Sequence, residues 1–187
     1  MNIARAINDN QREEAQAKIF GLKLLQGRSN KYNPDVTFVL EKDTLYGELK
    51  TYSCLKSGVS TARGVKQKKI DEWRSSVDFW LFSAHDNGKL TDEHYVLVSS
   101  QMEEFFQQME EKLLQGSKKL AGINDWNKAI PFLEGNINDE LLEKLNYAFL
   151  DKGCALNDPK IPLSYIRENG TKVSNEEALV KVLKEYL

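Results

Sequence analysis

Apolar residues near the N-terminus fall on one side of a helix at the helical period, namely Ile3, Ala6, Ile7, Ala17 and Phe20. Asn10 and Glu13 have the spacing of a capping box, which predicts that the ordered helix begins near residue 10. Gly21 predicts its end, because glycine readily adopts the left-handed conformation that closes a helix.

After residue 34 the spacing changes to strand-like alternation, and we expect a β-hairpin with strands 35–41 and 44–52 and a turn at Lys42-Asp43. The other predicted elements are a strand at 22–26, a helix at 61–76, strands at 76–84 and 94–100, helices at 101–114 and 137–150, a hairpin around Asn169-Gly170, and a terminal helix at 174–187 capped by Ser174. The order predicts an α/β (α+β) fold with a central mixed β-sheet flanked by helices and a mainly helical C-terminal half.

Side chains alternate across a strand, so the hairpin separates an apolar face from a face that carries charge. Asp35 and Thr37 share the charged face of the first strand, and Glu48 and Lys50 share that of the second. The predicted turn would pair Asp35 with Lys50 and Thr37 with Glu48, whereas a loop one residue longer would break this register. The sequence therefore predicts that two carboxylates and an ammonium converge.

This combination of groups suits the hydrolysis of a phosphodiester. Two adjacent carboxylates repel unless a cation joins them, and Mg²⁺ accepts one or two carboxylates together with waters and phosphate oxygens. We expect Asp35 and Glu48 to be metal ligands, with the backbone carbonyl of Leu49 as a further one. Lys50 would position the attacking water or stabilise charge on the phosphate.

The same residues carry a resemblance to a known family. Pro34-Asp35 and Glu48-Leu49-Lys50 resemble the two parts of the motif that names the PD-(D/E)XK nuclease superfamily, which includes many type II restriction endonucleases. The resemblance covers roughly residues 10–100. It implies a restriction-endonuclease-like core, with the motif on a hairpin inside a mixed sheet and the acids holding Mg²⁺.

The resemblance also implies a third acid on the helix that precedes this core. Glu13 and Glu14 both flank the apolar side of that helix. Because Glu13 would be occupied in the capping box, Glu14 is the preferred catalytic residue, and the choice between the two stays open. Gln67 lies where several branches of the family place a polar residue near the scissile phosphate.

The net charge is -2, but from Leu49 to Ile70 the chain has six cations and no acid. Such a stretch suits a polyanionic partner, although a solvated helix face is the alternative. The predicted DNA-binding residues are Lys56, Arg63, Lys66, Gln67 and Lys69.

We expect residues 1–100 to form the nuclease core and 101–187 a helical extension that serves recognition or dimerisation. No apolar run approaches the roughly 20 residues that a membrane span needs. Cys54 and Cys154 lie far apart and fit no metal or disulfide framework, so a cytoplasmic setting is the default.

The favoured function is a Mg²⁺-dependent type II restriction enzyme that cleaves double-stranded DNA as a homodimer, since two-fold protein symmetry matches a palindromic site. Two alternatives remain open. One is a structure-specific recombination, repair or phage nuclease of the Holliday-junction resolvase kind. The other is a non-catalytic nucleic-acid-binding or protein-interaction module.

Overall fold

A computed structural model describes residues 3–26, 33–120 and 155–186. The elements in chain order are α1 (Ile3–Ile19), β1 (Lys23–Leu24), β2 (Val36–Leu40), β3 (Asp43–Ser53), β4 (Gly58–Ser60), α2 (Gln67–Ser76), β5 (Phe79–Asp86), β6 (Lys89–Val98), a 3-10 helix (Ser99–Met102), α3 (Glu103–Leu120), β7 (Lys160–Pro162), α4 (Leu163–Asn169), β8 (Thr171–Lys172) and α5 (Glu176–Tyr186). The predicted helix at 137–150 and Cys154 lie outside the described residues. None of the helices in these three stretches has the length and apolar composition of a membrane span.

Six strands form one mixed sheet in the order β1-β2-β3-β5-β6-β8. β3 and β5 run parallel, and the other neighbouring pairs are antiparallel. A parallel pair needs a crossover connection, and α2 lies in the segment that joins β3 to β5. The predicted mixed sheet flanked by helices is therefore confirmed. Strands β4 and β7 pair separately as a two-stranded antiparallel sheet.

Apolar side chains cover both faces of the central sheet. On one face, α1 and α5 contribute buried residues to a core that includes the alternate residues of β2, β3, β5 and β6; its members are Ala17, Phe20, Leu22, Val36, Phe38, Leu49, Phe79, Leu81, Val96, Val98, Val173, Leu179, Val182 and Leu183. On the opposite face, Trp73 of α2 packs edge-on against Trp80, with ring centroids 5.1 Å apart. Trp80 in turn stacks with Phe82 at 6.2 Å.

The chain divides into two compact units, each assembled from separate stretches. The first contains Met1–Thr61, Glu72–Glu103 and Lys160–Leu187, and the second contains Ala62–Asp71 and Glu104–Pro159. The first unit holds the central sheet. In the second, Val65 and Leu156 form an isolated antiparallel bridge.

The structure corrects the predicted start of α1. This helix begins at Ile3 and runs for 17 residues, so Asn10 and Glu13 lie inside it and the capping box is wrong. Its end at Gly21 is confirmed. Gly21 has φ of +64°, and the backbone N–H of Leu22 donates to the carbonyl of Ala17 at 2.9 Å, which is the pattern of a glycine-terminated helix.

The middle of the chain differs from the prediction in where its elements begin. The predicted helix at 61–76 starts only at Gln67, and β4 lies within the predicted loop before it. β5 and β6 run longer than expected because Asn87 and Gly88, both with positive φ, join them in a two-residue turn.

The C-terminal part differs from the prediction in two ways. The expected hairpin around Asn169-Gly170 is wrong, because Leu163–Asn169 is helical and buries Leu163 and Ile166 at helical spacing. Ser174 is not the cap of α5. Instead, the side-chain oxygen of Asn175 accepts a hydrogen bond from the backbone N–H of Ala178 at 2.9 Å.

The β2–β3 hairpin has the predicted faces in a different register. Its two turn residues are Glu41, with φ of +57°, and Lys42, so Leu40 pairs with Asp43 and Val36 pairs with Gly47. The predicted turn at Lys42-Asp43 is wrong by one residue. This error shifts each cross-strand partner by two positions, and a shift of two leaves every side chain on its predicted face.

Gly47 is required by the close approach of two buried side chains. A Cβ atom at this position would lie 2.4 Å from Cζ of Phe79 and 2.9 Å from Cγ2 of Val36. Both neighbours are fully buried, so neither can move away without disturbing the core.

We therefore expect Gly47→Ala to lower the free energy of unfolding by about 1–3 kcal/mol through overpacking, as measured by urea denaturation. Phe79→Leu shortens the obstructing ring, so the double variant should lose less stability than the sum of the two single variants. Strict additivity would show that the ring is not the obstacle.

Candidate active site

The structure brings the charged groups of Asp35, Glu48 and Lys50 together on the sheet face that carries Trp80. The Nζ atom of Lys50 lies 2.7 Å from Oε1 of Glu48 and 3.9 Å from Oδ2 of Asp35. The side chains of Asp35, Glu48 and Lys50 are only 12%, 6% and 13% exposed. We refer to these three residues as the acid–amine triad. Continuation of the β2–β3 register places Asp35 opposite Glu48, rather than opposite Lys50 as the sequence predicted.

Asp35 is held at the point where the β2–β3 ladder ends. Its backbone N–H donates to the carbonyl of Gly47 at 3.0 Å, and its Oδ2 accepts a hydrogen bond from the backbone N–H of Leu49 at 2.8 Å. The carboxylate of Asp35 thus hydrogen-bonds to β3 just beyond the last paired residues of the ladder, Val36 and Gly47. Because the N–H and C=O of a strand residue point to the same side, the carbonyl of Leu49 faces this edge as well.

Opposing electrostatic effects act on the ammonium of Lys50. Burial by itself would lower the pKa of Lys50. The attraction of Glu48 and then Asp35, the hydrogen bond to Glu48 and a smaller attraction from Glu13 outweigh burial and raise this pKa above its usual value. Lys50 is therefore protonated at neutral pH and neutralises part of the charge of the two acids. The ring of Trp80, with its centroid 5.9 Å from Nζ, lines the same place.

The donor set of the acid–amine triad fits a small hard cation. Oε2 of Glu48 is buried and has no hydrogen-bond partner among the described residues, so one carboxylate oxygen remains available as a ligand. Within residues 3–26, 33–120 and 155–186 no three His, Cys, Asp or Glu side chains form a metal-binding group. Two carboxylates suffice for Mg²⁺, which usually keeps several waters and binds substrate phosphate.

The two candidates for the third acid differ in environment. Glu13 is half-buried and contributes an attraction to Lys50, whereas Glu14 is exposed. Glu13 also lies three and four residues before the buried Gln16 and Ala17, on the face of α1 that packs against the sheet. Glu13 has no capping role in this helix, so the reason for preferring Glu14 is gone, and the identity of a third acid stays a prediction.

The sequence pattern did not predict a series of hydrogen-bonded, buried polar side chains on the α1 side of β3. The side-chain amide of Gln16 donates to Oγ of Ser83 at 2.8 Å and lies 3.3 Å from the carbonyl oxygen of Lys50. Oγ of Ser83 is also 2.7 Å from Nδ1 of His94, whose pKa is lowered by burial. Gln16 therefore ties α1 to the backbone of Lys50. A glutamine on the apolar face of α1, one residue before Ala17, was the available sequence signal.

The predicted DNA-binding residues fall in both units. Lys56 is exposed in the first unit, between β3 and β4. In the second unit, Arg63 and Lys66 are exposed, as a phosphate contact requires. Lys69 is only 3% exposed, which speaks against a surface phosphate contact. Gln67 is buried as well.

The side-chain amide of Gln67 is engaged inside the second unit. Its nitrogen donates to a carboxylate oxygen of Asp71 at 2.8 Å and to one of Glu110 at 2.6 Å. These bonds orient the amide, and the predicted role of Gln67 near a scissile phosphate stays a prediction.

No protein-family model and no curated protein matches this sequence.

The raised pKa of Lys50 predicts how the stability of the protein depends on pH. Replacing Lys50 by Met leaves two buried carboxylates without their cation, and we expect a loss of about 3–5 kcal/mol in the free energy of unfolding near neutral pH. A basic group whose pKa is higher in the folded than in the unfolded protein stabilises the fold fully at pH values below its unfolded-state pKa. This contribution is lost as the pH rises from the unfolded-state pKa through the folded-state pKa. The difference between wild type and variant should thus fall as the pH rises through 10.5, the ordinary value of the lysine.

Urea denaturation of both proteins across this pH range measures the effect. Lys184→Met is the matched control, because it removes an exposed ion pair with Glu41 and should change stability little. A difference between wild type and Lys50→Met that does not decrease above pH 10.5 would contradict the assigned charge coupling.

Proposed function

We propose that this chain is a Mg²⁺-dependent endonuclease that hydrolyses phosphodiester bonds of double-stranded DNA, and that it acts as a type II restriction enzyme. The observation that carries the proposal is the acid–amine triad. It sets two buried carboxylates beside one ammonium, and Glu48 retains a buried oxygen without a partner among the described residues.

Each residue of the triad has a distinct part in this proposal. Asp35 and Glu48 hold Mg²⁺, with the carbonyl of Leu49 as a further oxygen ligand. When bound, the ion acts as a Lewis acid on the phosphate and lowers the pKa of a coordinated water. Lys50 positions or activates the attacking water and stabilises negative charge on the phosphate.

The order of elements supports the same proposal. The chain runs from α1 through β1, the β2–β3 hairpin, β4 and α2 to β5. Apart from the short strand β4, this is the order expected from the resemblance to the PD-(D/E)XK superfamily. Pro34-Asp35 lies immediately before β2 and Glu48-Leu49-Lys50 lies within β3, on a hairpin inside a mixed sheet.

The DNA partner and the oligomeric state are inferred from charge and symmetry. Exposed Lys56, Arg63 and Lys66 supply phosphate contacts, which give affinity without sequence information. Recognition of a palindromic site by a homodimer would follow from matching two-fold symmetry. Exposure makes these three residues better candidates than the buried Gln67 and Lys69.

Incubation of the protein with plasmid DNA tests the activity. We expect discrete fragments with Mg²⁺ and none with a chelator. Asp35→Asn, Glu48→Gln and Lys50→Ala should each lower the cleavage rate by at least about 100-fold, because the first two remove a ligand of the metal ion and the third removes the ammonium that stabilises negative charge on the phosphate. Glu41→Gln, on the exposed turn of the same hairpin, is the control and should cleave normally.

The pattern of products separates the candidate functions. Cleavage confined to branched DNA would indicate a resolvase-like enzyme. DNA binding without cleavage at any Mg²⁺ concentration would indicate a binding module, and near-normal cleavage by Lys50→Ala would refute the role of Lys50.

The third acid is tested by a matched pair of variants on adjacent helix positions. We expect Glu13→Gln to lower activity about 10–100-fold and to raise the Mg²⁺ concentration needed for half-maximal cleavage, as the loss of a group supporting a metal site does. Glu14→Gln should leave both quantities unchanged, because Glu14 is exposed. The opposite pattern would restore Glu14 as the third acid.

A further inference from the structure

Two cavities of the first unit share two lining residues, Lys56 and Gly58, which follow the end of β3. One, of about 340 Å³, is lined by residues of α1 and of the end of β3, and the other, of about 490 Å³, by residues of the loop before β4 and of β7. We refer to the two cavities together as the groove. The groove includes Thr51 and Ser53, which follow Lys50 on β3.

The charged side chains along this groove are mainly cationic. Among its described lining residues are three cations, Arg12, Lys56 and Lys160, and one acid, Asp9. Asp9 forms an ion pair with Arg12, so it offsets one of the three positive charges. His85 adds no charge at neutral pH, because burial and the nearby Arg12 lower its pKa.

The remaining polar groups of the groove are suited to hydrogen-bond an anion. Hydroxyl groups of Thr51, Ser53, Ser57 and Ser60 lie along it. The guanidinium of Arg12 is fixed by a hydrogen bond from Nε to Oγ1 of Thr51 at 3.1 Å, which limits the freedom that an arginine would otherwise lose on binding. Cations interspersed with hydroxyls are the donors that proteins use to contact phosphate oxygens.

Long-range pairing brings the third cation to this groove. Lys160 pairs with Ser60 across the two-stranded sheet of β4 and β7, although about a hundred positions of sequence separate them. Lys160 is exposed, and so is Lys56. Leu55, beside Lys56, is 89% exposed and offers an apolar contact for a sugar.

We propose that this groove binds internucleotide phosphates of DNA, with Arg12, Lys56 and Lys160 as the cationic contacts. The choice of DNA as the polymer rests on the proposed function. The sequence predicted Lys56 as a DNA contact, whereas Arg12 and Lys160 are assigned from the structure.

The salt dependence of DNA binding tests the groove without requiring cleavage. Binding of a duplex oligonucleotide is measured by fluorescence anisotropy in a chelator, between about 50 and 200 mM salt. Each lost phosphate contact reduces the slope of log K against log salt by about 0.9 in magnitude. We expect this reduction for Lys56→Ala and for Lys160→Ala, and about twice as much for the double variant.

Two further variants serve as controls. Lys181→Ala removes an exposed lysine of α5 that does not line the groove, and its slope should equal that of wild type. Lys160→Arg keeps the charge and should retain the slope. Unchanged slopes for Lys56→Ala and Lys160→Ala, or no DNA binding by wild type, would overturn the proposal.

A competing source of the same chemistry is a terminal phosphate on a small molecule. Titration with inorganic phosphate and a 5′-mononucleotide distinguishes it. If these ligands bind wild type and lose affinity in the Lys56 and Lys160 variants while DNA binding is unaffected, the groove is a small-ligand site and the proposal is wrong. If inorganic phosphate and the mononucleotide compete only weakly, and equally in wild type and in the Lys56 and Lys160 variants, the result supports the proposal.

The outcomes for the groove and for the nuclease activity can be told apart. Reduced slopes in a protein that never cleaves DNA would uphold the groove and refute the nuclease. Normal cleavage together with unchanged slopes would uphold the nuclease and refute the groove.

Discussion

The ammonium of Lys50 beside the carboxylates of Glu48 and Asp35 is the interaction on which the candidate site depends. All three side chains are almost closed to water, and burying an isolated charge is costly unless an opposite charge compensates it. Two acids and one amine leave a net negative charge, which is the state that favours an added cation. The same balance keeps the amine protonated at neutral pH.

The three charged residues converge where the β2–β3 ladder ends and β3 itself continues. β2 begins at Val36, while β3 continues to Ser53 alongside the parallel strand β5. At the edge this leaves, the carboxylate of Asp35 bonds to the backbone of Leu49. Gln16 braces the same stretch of β3 from the opposite face. The three charged residues therefore differ from those of an ordinary exposed strand face in where they lie, more than in the strength of any one contact.

The convergence of Asp35, Glu48 and Lys50 could be anticipated because it depends on parity and not on the precise turn. A turn misplaced by one residue changed every cross-strand partner, yet kept each side chain on its face. The position of Glu13 could not be anticipated in the same way. A local capping pattern assigned Glu13 to the helix start, whereas the helix continues back to Ile3 and leaves Glu13 beside the sheet.

The sequence by itself determined the alternation of the hairpin, the end of α1 at Gly21 and the mixed α and β character of the fold, because these depend on residues that are near neighbours along the chain. Only the tertiary structure decided that Gln16, Ser83 and His94 form a buried chain behind Lys50, and that Lys160 lies in one groove with Lys56. Such pairings join residues that are far apart in the chain, and they are fixed by strand register and by the packing of α1 on the sheet, which no local pattern encodes.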